Sequence, residues 1–338
     1  MSNETRVLVT GAGGFIGHHL VSYLKQRGHW VRGVDVKAPE FAASEADEFL
    51  FLDLRDRGCA SAAMRDVEEV YALAADTGGM GYISSHHARI LRDNALIDIH
   101  TIDAARVNGV RRYLYTSSAC VYPECLQTDA AVAPLKEEDA YPAQPQDAYG
   151  WEKLTAERLC AHYREDYGLE TRIARCHDIF GPLGTWRGGR EKAPAALCRK
   201  IAAAKLTGNP EVEIWGDGEQ TRSFCYIDDC VAGLYRLMQS DHGLPLNLGQ
   251  DRLVTINELA DLIAEIAGAE IVRKHVPGPQ GVRGRNSDNT LLRAVLGWEP
   301  EVSLEEGLRR TYEWIEGQVR AALQVGETAL ASHEGQRG

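Results

Sequence analysis

Tyr149 and Lys153 stand four residues apart in the run Tyr149-Gly150-Trp151-Glu152-Lys153. On a helix that spacing puts both side chains on one face, one turn apart. An ammonium beside a phenol favours the phenolate, which makes a tyrosine a usable base near neutral pH. Near the start of the chain, Gly11-Ala12-Gly13-Gly14-Phe15-Ile16-Gly17 follows an apolar strand-like run and opens a helix-like one. Gly11, Gly14 and Gly17 form a G-x-x-G-x-x-G turn, which lets the backbone approach a pyrophosphate at a helix N-terminus. A phenolate beside a nicotinamide ring moves a hydride and a proton together. The two segments therefore point to redox chemistry at an alcohol carbon.

A glycine turn alone is a weak signal; its context here strengthens it. Asp35 follows Gly14 by 21 positions and ends the second strand-like run. Its carboxylate can accept hydrogen bonds from an adenosine ribose and would repel a 2′-phosphate, so NAD is expected rather than NADP. Gly11, Gly14, Phe15, Ile16, Gly17 and Asp35 are the cofactor-binding candidates, joined by Tyr149 and Lys153. Asp53, after the third strand, is read either as a contact to the adenine edge or as a surface cap. Arg32 and Lys37 argue for NADP, but each is read as a solvated surface charge.

The sequence has 338 residues, 44% of them hydrophobic, which suits one large α/β unit or two interleaved domains. A net charge of -12 argues against nucleic acid and anionic lipid as partners. The eight cysteines form no CxxC pair and no zinc-like spacing with histidine, so no metal is expected and seven of them are read as small buried hydrophobes. The chain runs straight into Arg6-Val7-Leu8-Val9-Thr10, and no apolar run is long enough to span a bilayer. A reduced, cytoplasmic protein is the expectation.

Strand patterns at Arg6–Thr10, Trp30–Val34, Glu48–Leu52, Glu69–Leu73, Arg112–Thr116 and Glu170–Ala174 alternate with helix patterns at Phe15–Arg27, Ser85–Asn108 and Ala148–Tyr167. That alternation predicts an α/β fold: a Rossmann-type, doubly wound parallel sheet. After Arg175 the alternation lapses. Residues 1–175 and 223–250 are expected to form the NAD-binding domain. Residues 176–222 and 251–318 are expected to form a smaller C-terminal substrate-binding lobe, with a helix near Ile256–Ala267 and a last one near Leu304–Gln318. Residues 319–338 are expected to be a frayed tail.

The glycine turn, Ser117-Ser118 and Tyr149-xxx-Lys153 together resemble the extended short-chain dehydrogenase/reductase superfamily. Four further stretches resemble the GDP-mannose 3,5-epimerase branch. They are Ala74–Gly81 (AADTGGMG), Ser117–Glu124 (SSACVYPE), Gly188–Ala196 (GGREKAPAA) and Gly281–Asn289 (GVRGRNSDN). The resemblance implies a redox-neutral reaction on a GDP-hexose. NAD takes the C4 hydride while Tyr149 takes the C4 hydroxyl proton. The 4-ketone acidifies C3 and C5, an acid–base pair inverts those centres, and the hydride returns. By family position that pair is Cys120 and Lys192, and Ser118 holds the C4 oxygen. A thiol and an ammonium suit the work because surroundings can tune both toward neutrality; the bland readings are a buried thiol, a solvated lysine and a turn-capping serine.

Two phosphates call for cations. The resemblance places Lys200, Gln220 and Arg285 on the substrate, and Arg222 is inferred from its charge. Gly78, Ala119 and Glu191 complete the substrate-binding candidates, although Glu191 would equally pair with a neighbouring arginine. In relatives, the helices corresponding to Ser85–Asn108 and Ala148–Tyr167 make a homodimer. The alternatives are a 4-epimerase, which needs no Cys120/Lys192 pair, and a 4,6-dehydratase, which needs an acid where Ala119-Cys120 stands; a non-catalytic NAD sensor would dispense with Tyr149 and Lys153. Two positions depart from the family pattern: Thr77 replaces a methionine, and Arg175-Cys176-His177-Asp178 replaces Arg-Phe-His-Asn. An ionised Asp178 cannot donate an amide hydrogen bond and would repel a diphosphate. Asp178→Asn is therefore expected to lower the KM for a GDP-hexose, and an unchanged or higher KM in steady-state assays refutes this.

Overall fold

A computed structural model describes residues 5–326. Six parallel strands, β1 (Arg6–Thr10), β2 (Trp30–Asp35), β3 (Glu48–Phe51), β4 (Glu69–Ala72), β5 (Arg112–Ser118) and β6 (Glu170–Cys176), are joined at one edge by a seventh, Pro245–Leu248. Their spatial order is β3-β2-β1-β4-β5-β6 and then Pro245–Leu248, every pairing parallel. The order reverses between β1 and β4, and ligands of open α/β sheets bind outside the strand ends at such a reversal.

The helices are α1 (Phe15–Lys25), α2 (Arg57–Ala63), the short α3 (Met80–Ile83), α4 (His87–Val107), α5 (Ala148–Tyr167), α6 (Ala193–Thr207), α7 (Ile227–Gln239), α8 (Ile256–Ala267), α9 (Thr290–Leu296) and α10 (Leu304–Gln324). Local chemistry sets their ends. Asp147 caps α5 by accepting from the Gly150 amide, and Gly168 ends it with a left-handed φ of 71°. Thr255 and Glu258 form a reciprocal capping box at the start of α8.

One hydrophobic core packs α1 and α7 against a face of the sheet and continues through α6, α8 and α10. A second packs α2, α4 and α5 against the other face. The lobe therefore shares a core with the sheet. Within it, Thr221–Ser223 pairs antiparallel with Leu253–Thr255 and parallel with Gly284–Arg285, and the second pairing sets Arg222 beside Arg285.

The alternating first half matches expectation, apart from α2, the short α3 and element ends that move by a few residues. The lobe differs more. The stretch expected to be irregular contains α6, fifteen residues with Pro194 in its first turn and an apolar side of Leu197, Cys198, Ile201 and Ala202. Beyond α6, Phe224 separates two short strands, Thr221–Ser223 and Cys225–Tyr226. The expected tail begins late, because α10 runs on through 319–324 with Val319 and Ala322 buried; positions 327–338 lie outside the described residues.

The glycine turn and α1 touch at backbone distance. A Cβ on Gly17 would lie 2.1 Å from the carbonyl oxygen of Gly11, itself held at φ +71°. Gly17→Ala must therefore separate α1 from the turn. A cost of about 1–3 kcal/mol is expected from overpacking. Gly317 on α10 meets nothing within 4 Å, so Gly317→Ala should stabilise by about 1 kcal/mol through helix propensity alone. Denaturant unfolding of both variants checks the opposite signs.

Candidate active site

A cavity of about 760 Å³ opens where the loops after β4, β5 and β6 meet the lobe. Gly78, Ser118, Ala119, Cys120, Tyr149, Asp178, Glu191, Lys192, Lys200, Gln220, Arg222 and Arg285 all line it. These candidates come from seven separate stretches of chain. Lys153 lies behind the wall, buried.

Ser118 ends β5, and its oxygen accepts from the Cys120 amide at 3.2 Å, which turns the chain into the short 3-10 helix Ala119–Val121. This cap leaves the serine hydrogen for a ligand. Cys120 Sγ receives Arg285 Nη1 at 3.3 Å, while Arg285 Nε is anchored on Gln127 Oε1 at 2.6 Å. Gly150 lies under this turn, where a Cβ would meet the Cys120 carbonyl oxygen at 2.2 Å. The glycine between Tyr149 and Trp151 is thus what lets α5 approach the cysteine.

The Tyr149 ring packs on Tyr82, Ile83 and Ile90. Lys153 Nζ lies 5.5 Å from its centroid and donates to the Tyr115 hydroxyl at 2.9 Å. Burial pushes the Tyr149 phenol up to about 12; the Lys153 ammonium pulls it down, and the Thr77 side chain, within hydrogen-bond reach, does the same. The expected phenolate at neutral pH is therefore not produced by Lys153 alone. The lysine acts in the expected direction, but burial outweighs it. Burial also opposes the Lys153 charge, yet Glu152 beside it holds its pKa above the usual lysine range.

Lys192 immediately precedes α6, on a loop fastened across the cavity mouth. Arg190 donates to Asp76 at 3.0 Å, lies 3.7 Å over the Tyr82 ring, and accepts at its carbonyl from the Gly79 amide at 3.0 Å. Glu191 takes Arg199 at 3.0 Å and the Gly189 amide at 2.7 Å. Of its two readings, pairing with an arginine is the one this geometry realises. Lys200 donates to the Glu213 carbonyl at 2.7 Å, and burial lowers its pKa. Arg222 donates to the carbonyls of Thr221, Gln280 and Val282, and burial pushes it down to about 10. Gln220 Nε2 holds the Trp215 carbonyl, while its buried Oε1 has no partner. Asp178 sits at φ 31°, a region that Asn and Asp tolerate. Its Oδ2 is buried without a hydrogen bond, 3.9 Å from Arg222 Nε.

At the glycine turn, Asp35 accepts from the Gly13 amide at 3.0 Å and the Lys37 amide at 3.2 Å. A hollow lined by Gly13, Gly14, Phe15, His18 and Lys37 lies beside it. Ile16 packs into the core instead. A strand-end carboxylate next to an uncovered helix N-terminus fits a dinucleotide. Arg32 is not the solvated charge expected: it is buried, paired with Glu48 at 2.7 Å and bonded to the Ala63 and Arg65 carbonyls, which leaves it unavailable to a 2′-phosphate. Asp53 chelates Arg55, at 2.6 Å at the closest, and accepts its amide; that is the surface-cap reading.

Sequence reasoning passed over Tyr115, Asp98, Glu157, Glu213 and Trp215. Alternation along β5 was the available signal for some: Tyr113, Tyr115 and Ser117 share a face and bond Thr101, Asp98 and Glu157. The cysteine reading also needs correction, since Cys125 is exposed, Cys59 is half-buried and Cys176 lines the cavity. Among the described residues no His, Cys, Asp and Glu side chains cluster to hold a metal ion.

The pattern of the NAD dependent epimerase/dehydratase family matches residues 7–249. The chain is 50% identical over 320 residues to GDP-mannose 3,5-epimerase 1 of Oryza sativa subsp. indica, covering 94% of this chain and 83% of that one. It is 49% identical over 320 residues to GDP-mannose 3,5-epimerase of Arabidopsis thaliana, covering 94% and 84%. Among solved structures, UDP-glucose 4-epimerase from Thermotoga maritima with UDP-glucose superposes with a TM-score of 0.81 at 27% identity, covering 93% of this chain and 100% of that one.

A buried polar network supports the cavity floor. Glu157 and Arg175 pair at 2.7 Å, Ser117 donates to Glu157, and Arg175 reaches Tyr122 and the Glu137 carbonyl. Tyr122 donates to Asn247 Oδ1 at 2.6 Å, and His177 Nε2 lies 3.0 Å from the same oxygen, so Nε2 carries the hydrogen. Burial pushes His177 down to about 4 from 6.5. Its folded pKa is below its unfolded one, so its contribution is present above pH 6.5 and lost as pH falls toward 4. That loss amounts to about 3 kcal/mol. Unfolding midpoints measured from pH 7 to pH 4 should fall, and more gently in His177→Gln.

Proposed function

We propose a function from one premise: this chain belongs to the NAD dependent epimerase/dehydratase family. It epimerises GDP-D-mannose at C3 and C5 to GDP-L-galactose, with GDP-L-gulose from C5 inversion alone, through a transient 4-ketone. One observation carries this reading. A single cavity holds Ser118, Cys120, Tyr149 and Lys192 together with Lys200, Arg222 and Arg285, in a chain about half identical to two GDP-mannose 3,5-epimerases.

NAD is the cofactor, and when bound it accepts and returns one hydride and brings a positive ring. The glycine turn would hold its pyrophosphate and Asp35 its adenosine ribose. Tyr149 takes the C4 hydroxyl proton, with Lys153 and Thr77 favouring the phenolate. Ser118 donates to the C4 oxygen with the hydrogen its cap leaves free. Cys120 and Lys192 remove and return protons at C3 and C5. Arg285 beside Cys120 Sγ stabilises the thiolate whenever it forms. Lys200 and Arg222, set in the lobe, offset the diphosphate charge, with Gln220 Oε1 left to accept from the ligand.

In this reading the protein works in the cytoplasm as a homodimer. All eight cysteines are free thiols, as a reducing compartment requires. Outward side chains of α4 and α5 include Leu91, Leu96, Ile99 and Trp151, an apolar surface suited to a second copy.

Incubation with GDP-D-mannose in heavy water, without added NAD, tests the reaction. Deuterium at both C3 and C5, with new L-sugar nucleotides by NMR, is expected. Cys120→Ala should lose about 10²–10⁴-fold in rate. A 4-epimerase would survive that substitution and exchange no carbon-bound hydrogen with solvent; that pattern would overturn the reading.

A further inference from the structure

Behind Tyr149 lies a sealed cluster that the reaction above does not use. Asp98 on α4, Tyr115 on β5, and Glu152 and Lys153 on α5 are each at most 5% exposed. The Tyr115 hydroxyl receives Lys153 Nζ at 2.9 Å and lies 2.9 Å from Asp98 Oδ2 and 3.0 Å from Glu152 Oε1. Lys153 Nζ is itself 3.7 Å from Glu152 Oε1. Asn94 Nδ2 donates to Glu152 Oε2 at 3.1 Å. Asp98 Oδ2 and Glu152 Oε1 thus crowd the same hydroxyl oxygen.

We propose that Asp98 and Glu152 hold one proton between them and act as positioning residues for Lys153, so that its ammonium faces a single negative charge. Hydrogen counting leads there. A phenol has one hydrogen and can satisfy only one of two bare carboxylates. Two buried carboxylates crowding one hydroxyl repel each other unless one of them is protonated. Glu152 meets two further partners that favour its charge, Asn94 Nδ2 at 3.1 Å and Lys153 Nζ at 3.7 Å, so Glu152 is the anion and Asp98 the acid.

Charge counting agrees. The remaining titratable group beside Asp98 is Cys160 on α5, kept neutral because burial pushes its thiol well up. Tyr115 and Tyr113 on β5 stay neutral for the same reason. With Asp98 protonated, Lys153 and Glu152 form a neutral pair. With Asp98 ionised, a net negative charge would sit behind Tyr149 and make its phenolate harder to form. The shared proton thus preserves the help that Lys153 gives to Tyr149.

The kinetic arm of the test rests on Tyr149 being the base; the spectroscopic arm does not. In infrared spectra at neutral pH, the wild-type protein should show the carbonyl stretch of a buried carboxylic acid. That band should shift in heavy water and with carbon-13 aspartate, and vanish in Asp98→Asn. Asp98→Asn, whose amide can donate to Glu152 as the acid does, should leave the acid limb of the kcat/KM profile in place. Glu152→Gln removes the anion and should move that limb down by about 1–3 pH units. Absence of an aspartate-derived acid band in the wild-type protein overturns the proposal. So does an Asp98→Asn limb that moves as far as that of Glu152→Gln. The isotope-shifted wild-type band decides the matter even if a variant fails to fold or the sugar substrate is another.

Discussion

The site depends on an ion pair taken out of water. Arg175 and Glu157 meet in a two-pronged pairing, Nε to Oε1 at 2.8 Å and Nη2 to Oε2 at 2.7 Å, both side chains almost fully buried. Removing two charges from water is costly. The pairing repays it only when the remaining donors and acceptors are also met. Here Ser117 supplies a further hydrogen to Glu157, while Tyr122 and the Glu137 carbonyl take the rest of the guanidinium. Because Ser117 is on β5, Glu157 on α5 and Arg175 on β6, the pair fixes three elements at once. Ser118 is one residue beyond one anchor, Tyr149 two turns before another, and Asp178 three residues beyond the third. Loss of either charge would strand its partner, which costs about 3–5 kcal/mol in such settings.

A second constraint joins the two halves of the chemistry. Cys120 and Tyr149 lie on different elements and are brought together at Gly150, whose missing Cβ admits the Cys120 carbonyl. Lys192 arrives from the lobe on a loop tied to Gly79, Asp76 and Tyr82. These three side chains of one cavity are thus held by separate devices: a backbone contact, an arginine stacked on a ring, and a buried network.

Local patterns carry much of this into the sequence. β1, the glycine turn and α1 follow from a run of apolar residues, a left-handed Gly11 and a helix that begins where the backbone must stay open. α5 can be read from its Asp147 cap and Gly168 stop, and Tyr149 and Lys153 with it. What escaped depends on partners distant in sequence. Arg32 reads as a surface charge until β3 brings Glu48 beside it. Glu191 reads equally as a ligand contact or an arginine's partner until α6 turns Arg199 toward it. Asp98 gives no signal of its own until β5 delivers Tyr115. Burial, too, is a property of the assembled protein, so the pKa of Tyr149 could not be weighed from a four-residue spacing. α6 was missed because a helix rich in alanine, set among glycines and basic residues, has a muted hydrophobic period.

The distribution of charge gives the molecule an unusual relation to salt. The cavity lining carries six Lys or Arg against five Asp or Glu, so the whole net charge of -12 lies elsewhere. A dianionic ligand is repelled while it diffuses and attracted only on contact. Salt screens the distant shell first, with a Debye length of about 8 Å at physiological ionic strength, and leaves the desolvated contacts nearly intact. Association therefore quickens as salt is added while dissociation changes little, the reverse of an enzyme whose field draws its ligand in. Moderate ionic strength should therefore favour capture by this protein.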